Sequence, residues 1–408
     1  MRFSRANPGS DTREDLPPRG PISAGQIFQV IRKHATSRAE IARTTGLARS
    51  TISQRIGALV ALGLVVEEGD ARSTGGRPAT RLRLNDSGGV VLAADLGANH
   101  DRLIVSDLAG HVLAEQTGRR PIAQGPELIL GWVRDNFLAQ LAQLGLGVGK
   151  VVGMGIGVPG PVEFAAGRAV QPPIMPGWHG VSIPDYFADA FPGVDVLVDN
   201  DVNIMAVGEH RTSWPQVSDM IYVKIATGIG AGIISGGRLQ RGAQGAAGDI
   251  GHIRASEHLD EICACGNAGC IEAVASGSAL ARRLRALGHD TQDAMDVVGL
   301  VQNGNADAVR LVREAGRLLG EVLAHAVNLL NPSALVIGGD LAKAEQQLFA
   351  GIREVIYRRS SCLATERLEI VRTRQGDRAG VIGAAALVLD KCLAPEAVDR
   401  QLALGAAA

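Results

Sequence analysis

The chain has 408 residues, 46% of them hydrophobic but only 3% aromatic, so we expect two or three domains with mainly aliphatic cores. Its 52 glycines follow no three-residue period, which excludes a collagen-like fibre, and no apolar run approaches the roughly 18 residues of a membrane span. The net charge of −1 hides an asymmetry, because residues 1–85 hold 14 Lys and Arg against 7 Asp and Glu. This basic segment predicts an anionic partner, with a merely soluble charged surface as the alternative.

Residues 1–20 are polar and rich in Pro and Gly, and they lack the apolar centre of a secretory signal. This composition predicts a disordered tail. We therefore expect a cytoplasmic protein, and a reducing cytoplasm disfavours disulfide bonds among its five cysteines.

Three helical patterns follow the tail. The first covers about residues 23–34, and the second, "SRAEIARTTG", has Ser37 as its N-cap, Glu40 at the capping-box position and Gly46 at its end. The third, "RSTISQRIGALVALG", places four apolar residues on one face: Ile52, Ile56, Leu59 and Val60. A short helix, a glycine turn and a second helix are typical of a helix-turn-helix.

The opposite face of the third helix carries groups of the kind that read base edges and phosphates: Arg49, Ser50, Thr51, Gln54 and Arg55. The strand, glycine-rich loop and strand that follow predict a basic wing with Arg77, able to reach the minor groove or the backbone of DNA. A three-helix protein-interaction module is the alternative. Residues 21–85 resemble the winged-helix heads of bacterial repressors, which implies operator DNA as a partner.

Two later stretches share one pattern: "VVLAADLGANHDRLIVSDLAGHVLAEQ" and "MIYVKIATGIGAGIISGGRLQRG". Each predicts a strand, a small-residue turn, a second strand, a glycine turn and a third strand. This repetition indicates a duplicated α/β unit with a cleft between its halves. The small-residue turns let backbone N–H groups approach a phosphate, although most such turns merely close hairpins.

Other candidate ligand residues lie at the ends of predicted buried strands. Gly160, in "VPGPV", lies in a rigid loop suited to line a pocket, and "VDVLVDNDVN" ends at Asn200 and Asp201. At that position Asp201 is either a helix cap or a cleft carboxylate able to deprotonate a hydroxyl. Gly338 and Gly339 end another strand, where an adenine or ribose could lie against the backbone.

The stretch "CACGNAGC" holds Cys263, Cys265 and Cys270. Cys-x-Cys-x4-Cys with an upstream His252 is a plausible Cys3His set for tetrahedral Zn2+. The usual redox spacing, Cys-x-x-Cys, is absent from this stretch, and reduced buried thiols are the alternative reading.

Taken together, the chain resembles the ROK family (repressors, open reading frames and kinases) from residue 21 to about 395. The stretch "CACGNAGCIE" fits the family pattern C-x-C-G-x-x-G-C-x-E at every fixed position, and "KIATGIGAGIISGGRLQRGAQGAAGDIGH" resembles the family signature, with Ala226 where Gly is usual. The resemblance implies an α/β body with the actin-like, hexokinase-like fold (a duplicated RNase H-like unit), two lobes and a sugar in the cleft. An α+β winged helix-turn-helix domain precedes that body.

The resemblance also implies residue roles. Asp201 matches the base that acts on the sugar hydroxyl in the kinases, and "DIGH" has Asp249 where the family has Glu. The implied sugar contacts are Gly160, Asn200, Asp201, Asp249, His252 and Glu272. The implied ligands of a structural zinc ion are His252, Cys263, Cys265 and Cys270.

The nucleotide motifs are less complete. The first phosphate loop, D-x-G-G-T in the family, reads "DLGAN" here, so ATP and Mg2+ are expected only if the chain is an active kinase. The matching positions are Asp95, Gly97, Thr227, Gly228, Gly230, Gly338 and Gly339.

The expected domains are a tail at 1–20, a winged helix-turn-helix at 21–85 and a sugar-binding domain at 86–408. Within the last, the small lobe takes residues 86–203 and a helix at 379–395, and the large lobe takes residues 204–378.

The leading hypothesis is a sugar-responsive regulator that represses carbohydrate-metabolism genes, without enzymatic activity, as a homodimer or dimer of dimers. It would lie on the nucleoid when bound to DNA and would not contact a membrane. The alternatives are an ATP-dependent sugar kinase with Asp201 as base, and an interaction protein that has kept only the fold.

Overall fold

A computed structural model of the chain describes residues 22–69, 80–255 and 260–405. These residues form two compact units, one reaching Asn85 and resuming at Leu393, the other covering Asp86–Cys392. The sugar-binding domain was expected to run to residue 408, whereas the chain from Leu393 onward groups with the first unit. The predicted tail at 1–20 and the wing residue Arg77 lie outside the described residues.

The first unit begins with helices and a small sheet. Its elements are α1 (Ala24–Lys33), β1 (Thr36–Ser37), α2 (Arg38–Thr45), α3 (Arg49–Ala61), β2 (Val65–Glu68) and β3 (Arg81–Leu84). The strands are antiparallel in the order β1-β3-β2. The predicted capping box of Ser37 and Glu40 is present, and Gly46 ends α2 in the left-handed conformation with φ of 70°.

The core of the first unit is aliphatic. Fully buried side chains come from all three helices: Ile27, Phe28, Ile31, Ile41, Ile52, Ile56 and Leu59. The prediction that Val60 belongs to this stripe is wrong, since its side chain is 37% exposed. Val60 lies one residue, or about 100°, beyond Leu59 and so falls at the edge of the buried face.

The first half of the second unit contains a five-stranded sheet. Its elements are β4 (Val90–Leu96), β5 (Asp101–Asp107), β6 (Val112–Gly118), α4 (Pro126–Gln143), β7 (Val151–Val158), β8 (Val162–Glu163), β9 (Arg168–Ala169), α5 (Ile183–Phe187), β10 (Val196–Asn200) and α6 (Asp201–Ser213). The order is β10-β7-β4-β5-β6, with β8 and β9 forming a separate hairpin.

The second half repeats this arrangement. Its elements are β11 (Met220–Ile225), β12 (Ile229–Ser235), β13 (Arg238–Gln240), α7 (Ile271–Ala275), α8 (Gly277–Ala286), α9 (Ala294–Gln302), α10 (Ala306–Leu330), β14 (Ala334–Gly338), α11 (Glu345–Arg359), α12 (Cys362–Thr365), β15 (Glu369–Arg372) and α13 (Ala379–Cys392). The order is β13-β12-β11-β14-β15.

The two sheets have one topology. In each, three consecutive antiparallel strands form a meander, and two later strands add in parallel beside the first. The duplication predicted from the two similar stretches is therefore confirmed. The carboxyl ends of β4, β7 and β10 meet at one edge of their sheet, which is where α/β proteins commonly bind ligands.

Helices α6 and α13 cross at backbone contact. A Cβ on Gly208 would lie 1.9 Å from the carbonyl oxygen of Ala379, and one on Gly383 would lie 1.7 Å from that of Ile204. Only glycine permits this approach. A separate core cluster joins the two helices to β11, β12 and β14. Among the described helices, none combines the length and apolar character that crossing a membrane requires.

The chain ends in α14 (Pro395–Gly405), which packs on α1 within the first unit. Gly25 donates its backbone N–H to Asp399 Oδ1 at 2.8 Å, and Gln29 Nε2 donates to the carbonyl oxygen of Leu393 at 2.5 Å. Val398 is fully buried. The first unit therefore combines α1, near the beginning of the sequence, with α14, near its end.

The packing of α14 on α1 can be tested at Gly25. An added Cβ would lie 2.1 Å from the carbonyl oxygen of Pro395, so Gly25→Ala should force α1 and α14 apart at a cost of about 1–3 kcal/mol. Hydrogen exchange should then accelerate in the α1 and α14 peptides of the full-length chain. Gly57→Ala in α3 is the matched control, because its Cβ meets nothing within 4 Å. Equal hydrogen-exchange rates in the α1 and α14 peptides of the two variants would contradict the packing of α14 on α1.

Candidate functional site

Asp201 lies at the first turn of α6, where β10 ends. Its Oδ2 contacts Lys224 Nζ at 2.5 Å, and both side chains are nearly buried, with 5% and 12% exposure. The helix cap is Asn200, whose side-chain oxygen accepts the N–H groups of Val202 and Asn203. The alternative that Asp201 is the cap is therefore wrong, and its carboxylate pairs with a lysine instead.

Asn200 also fixes the loop that follows β7. Its Nδ2 donates to the carbonyl oxygen of Gly160 at 3.0 Å, while its Oδ1 caps α6. Both ends of the amide are thus engaged, and the pocket positions Gly160, Asn200 and Asp201 form one connected group. The contact of Asn200 with a sugar remains a prediction.

The other predicted sugar residues lie on the second half of the unit. His252 Nε2 is 3.9 Å from Asp249 Oδ1, too far for a hydrogen bond but within ion-pair range. Asp249 is half exposed. Glu272 Oε2 accepts the backbone N–H of Ile229 at 2.8 Å, which ties the residue after the cysteine cluster to the turn between β11 and β12.

The predicted metal ligands come together. One ligand atom from each of His252, Cys263, Cys265 and Cys270 lies within 4.8 Å of the others. The Sγ atoms of Cys265 and Cys270 are 3.7 Å apart, and Cys263 Sγ is 3.6 Å from His252 Nδ1. A tetrahedral ion with metal–sulfur bonds of about 2.3 Å needs ligand separations of roughly 3.8 Å, so this group fits a metal ion of the zinc type.

The surroundings shift the pKa values of the thiols in opposite directions. Burial raises the pKa of Cys270 to about 12, whereas the backbone N–H of Asn267 lowers the pKa of Cys265 to about 7. A bound divalent ion would favour the thiolate form of all three cysteines. With Nδ1 turned to the thiols, His252 presents Nε2–H toward Asp249.

The glycines of the predicted nucleotide motifs are packed against the chain itself. A Cβ on Gly228 would lie 2.5 Å from the Glu272 carboxylate, and one on Gly338 would lie 2.0 Å from the Tyr222 hydroxyl. Gly230 faces Val202 in the same way, and Gly339 faces the backbone of Ile225. Thr227 offers its carbonyl oxygen to Ser278 Oγ at 2.6 Å. The space that the missing side chain leaves at each glycine is thus occupied by another group of the same chain.

The first phosphate loop is also closed. Gly97 donates its N–H to the carbonyl oxygen of His100, and the His100 ring lies 2.0 Å from where a Gly97 Cβ would be. Asp95, at the end of β4, is buried, and neither of its carboxylate oxygens has a hydrogen-bond partner among the described residues. Burial raises the pKa of Asp95 to about 6, while His100 and Lys224 oppose that rise. The Gly97 N–H is therefore already engaged within this loop, and ATP with Mg2+ remains an expectation only for an active kinase.

The candidate DNA face lies on α3. Arg49, Ser50 and Gln54 are exposed, opposite the buried stripe, and Thr51 and Arg55 are partly buried. One guanidinium nitrogen of Arg55 is buried without a hydrogen-bond partner in the described part of the chain, so that residue is less available than the others. Ser53, which the sequence interpretation passed over, is exposed on the same helix.

Two further residues escaped the sequence interpretation. Lys224 is the single charged residue within β11, and a lone lysine in an apolar strand was the signal that could have identified it. Arg241 donates to Asp199 Oδ2 at 2.7 Å and lies 3.8 Å above the Phe164 ring, which joins the end of β13 to the end of β10. Both residues connect the two halves of the second unit.

Comparisons with known proteins agree with this arrangement. The model of the ROK family matches residues 91–391, and the model of the IclR helix-turn-helix domain matches residues 24–69. The xylose repressor of Caldicellulosiruptor bescii is 30% identical over 371 residues, covering 88% of this chain and 92% of that protein.

Solved structures give the same result. A ROK family transcriptional regulator described as a homolog of the E. coli MLC protein superposes with a TM-score of 0.79 at 26% identity, covering 93% of this chain and 98% of that one. A ROK family glucokinase from Streptomyces griseus, in complex with glucose and AMPPNP, has a TM-score of 0.62 at 28% identity and covers 73% of this chain and 99% of its own. The predicted fold class is confirmed.

The metal group can be tested at Cys265. Cys265→Ser should lose the bound metal, because a closed four-ligand site usually needs all of its ligands. The measurement is metal content by mass spectrometry on the purified full-length chain. Cys362→Ser is the control, since Cys362 is exposed and lies outside the cluster. Stoichiometric metal in Cys265→Ser would show that the cluster is not the site.

Proposed function

The chain belongs to the ROK family, and from that premise we propose that it is a sugar-responsive transcriptional repressor. The observation that carries the proposal is the union of a helix-turn-helix with a kinase-shaped body whose nucleotide motifs are packed against the chain's own groups. We place it in the cytoplasm, where a repressor meets its operator.

DNA is read by α3 in this proposal. The exposed side chains of Arg49, Ser50 and Gln54 supply guanidinium, hydroxyl and amide groups, which are the groups that hydrogen bond to base edges and phosphates. Thr51 and Arg55 would flank them, and Arg77 would contact DNA from the wing. A homodimer or a dimer of dimers would present two heads to two half-sites.

The sugar would bind beside Asp201 and Asp249. Carboxylates accept hydrogen bonds from sugar hydroxyls, and Nε2–H of His252 adds a donor at 3.9 Å from Asp249. Glu272 would face the sugar from the turn that it shares with Ile229. Asn200 and Gly160 would complete the contacts from the loop after β7. A sugar held from both halves would favour their closed arrangement and so shift the population of the DNA-binding state.

We assign a structural zinc ion to the Cys3His group. The near-tetrahedral separations and the nitrogen and sulfur ligands support zinc over the harder ions that prefer oxygen. Its task would be to hold His252 and Glu272 against the sugar, since Glu272 follows Cys270 by two residues. Metal loss should then weaken sugar binding while the first unit keeps its fold.

No phosphoryl transfer is assigned to this chain. A kinase needs Asp201 as a free base and glycine loops that can bind the phosphates. Here Asp201 is paired with Lys224, and the Gly97 N–H is donated to the carbonyl oxygen of His100. The alternative of an ATP-dependent sugar kinase is thus less well supported than a sensor.

The DNA contact can be tested at Gln54. Gln54→Ala should weaken binding by about 1–3 kcal/mol to a duplex that the unaltered chain has selected from a random pool. Binding to unrelated duplexes should change little, because a base contact acts on one sequence. The measurement is fluorescence anisotropy, and Gln143→Ala, exposed on α4, is the control. An equal loss on all duplexes would make Gln54 a phosphate contact.

The sugar contact can be tested at Asp249. Asp249→Asn keeps the side-chain volume but removes the charge, so affinity for the cognate sugar should fall by about 1.5–3 kcal/mol. A thermal-shift screen of sugars identifies the ligand, and calorimetry gives both affinities. Asp290→Asn, an exposed residue between α8 and α9, is the control. Unchanged affinity in Asp249→Asn, with metal content intact, would remove Asp249 from the site.

A further inference from the structure

Lys224 is a nearly buried ammonium that contacts the Asp201 carboxylate. It lies on β11, with Gly230 and Gly338 as its register partners on the neighbouring strands. The Asp201 carboxylate, 2.5 Å from Nζ, lies at the start of α6. Burial works to lower the pKa of Lys224, but the charge and hydrogen bond of Asp201, together with the charges of Asp95 and Asp340, raise that pKa above its ordinary value. The ammonium therefore stays charged at neutral pH.

Carboxylates from separate elements surround this ammonium. Besides Asp201, the charges of Asp95 at the end of β4 and Asp340 after β14 act on Lys224. Asp95 has no hydrogen-bond partner of its own in the described ranges, and its side chain is almost fully buried. A buried carboxylate without donors depends on nearby positive charge, and His100 and then Lys224 supply it to Asp95.

The same carboxylates would otherwise suit a hard divalent cation. Magnesium and manganese prefer carboxylate and water oxygens, usually with one or two carboxylates and a phosphate of the substrate. A second cation beside the Lys224 ammonium would be repelled by it and would have to share the Asp201 oxygen that the ammonium already holds. A phosphate at the first loop would also find the Gly97 N–H already donated to the carbonyl oxygen of His100.

We propose that Lys224 is a resident cation that takes the place of a magnesium-type ion beside Asp201, so that the sugar response requires neither magnesium nor nucleotide. The expectation about the sugar response rests on the proposed function. The expectation about Lys224 and the divalent ion does not, because it is tested without sugar or DNA. Lys224 is thus a positioning residue: it fixes the Asp201 carboxylate by their direct contact and excludes the ion that phosphoryl transfer would need.

The test is manganese binding by the full-length, zinc-loaded chain, followed through the electron paramagnetic resonance signal of free Mn2+. The unaltered chain should show no stoichiometric site, whereas Lys224→Ser and Lys224→Met should each gain one site, with affinity at least ten-fold above any background. Lys224→Arg should gain none, because it keeps the charge. A second substitution, Asp201→Asn, should abolish the site gained by Lys224→Ser.

Lys343→Ser is the matched control. Lys343 pairs with Asp340 at 2.9 Å but is partly exposed, so its removal should leave manganese binding unchanged. Melting temperature and zinc content establish that each variant is folded, and Lys224→Met keeps the apolar stem if the serine variant does not fold. The proposal is overturned if the unaltered chain binds Mn2+ as tightly as the Lys224 variants, or if a folded Lys224→Met gains no site.

The independence of sugar binding from magnesium and nucleotide is measured separately. The thermal shift of the unaltered chain with its sugar should not change when Mg2+ and a non-hydrolysable ATP analogue are added. A chain that binds no sugar at all would contradict the proposed function and leave the manganese result standing. A chain that binds sugar only with the nucleotide would contradict the inference about Lys224.

Discussion

The contact between α6 and α13 is the constraint on which the second unit depends. Glycines at Gly208 and Gly383 bring the two backbones together, and an added methyl group at either one would overlap a carbonyl oxygen of the partner helix. Packed interiors do not absorb such an overlap without movement of whole elements. The crossing therefore fixes where α6 begins, and with it the positions of Asn200 and Asp201.

Several groups are anchored to this crossing. Glu209 of α6 is fully buried and accepts the backbone N–H groups of Arg374 and Gln375, just before α13 begins. Gly380, in the first turn of α13, lies against the Asp95 carboxylate. The chain then leaves α13 for α14 in the first unit.

Much of this organisation could be predicted from the sequence. The glycine turns and strand patterns revealed the duplicated sheets, and the spacing of Cys263, Cys265 and Cys270 with His252 gave the metal group. Such features are local, because turn geometry and ligand spacing are encoded within a few residues. The edges of buried faces are harder to predict: apolar spacing places Val60 in the core, whereas its side chain is 37% exposed.

The functional state of the cleft could not be predicted in the same way. As a motif, Gly228, Gly230, Gly338 and Gly339 indicate phosphate or adenosine contact. In the fold, the Cβ direction of each points at a group distant in sequence, which is the Ile225 backbone for Gly339 and a side chain for the others. Lys224 meets Asp201 only because β11 passes the start of α6. The last residues posed a similar problem, since α14 shows its role only through its contact with α1.

The proposed function requires that sugar binding and DNA binding are coupled in one chain. Coupling is a free energy shared by both ligands, so it appears as a change in DNA affinity when the sugar is present. The most direct measurement is the dissociation constant for the selected duplex, by fluorescence anisotropy, with and without saturating sugar. We expect saturating sugar to change this dissociation constant by about 5–150-fold, the usual range of such coupling. A sugar that binds the chain and leaves this constant unchanged would contradict it.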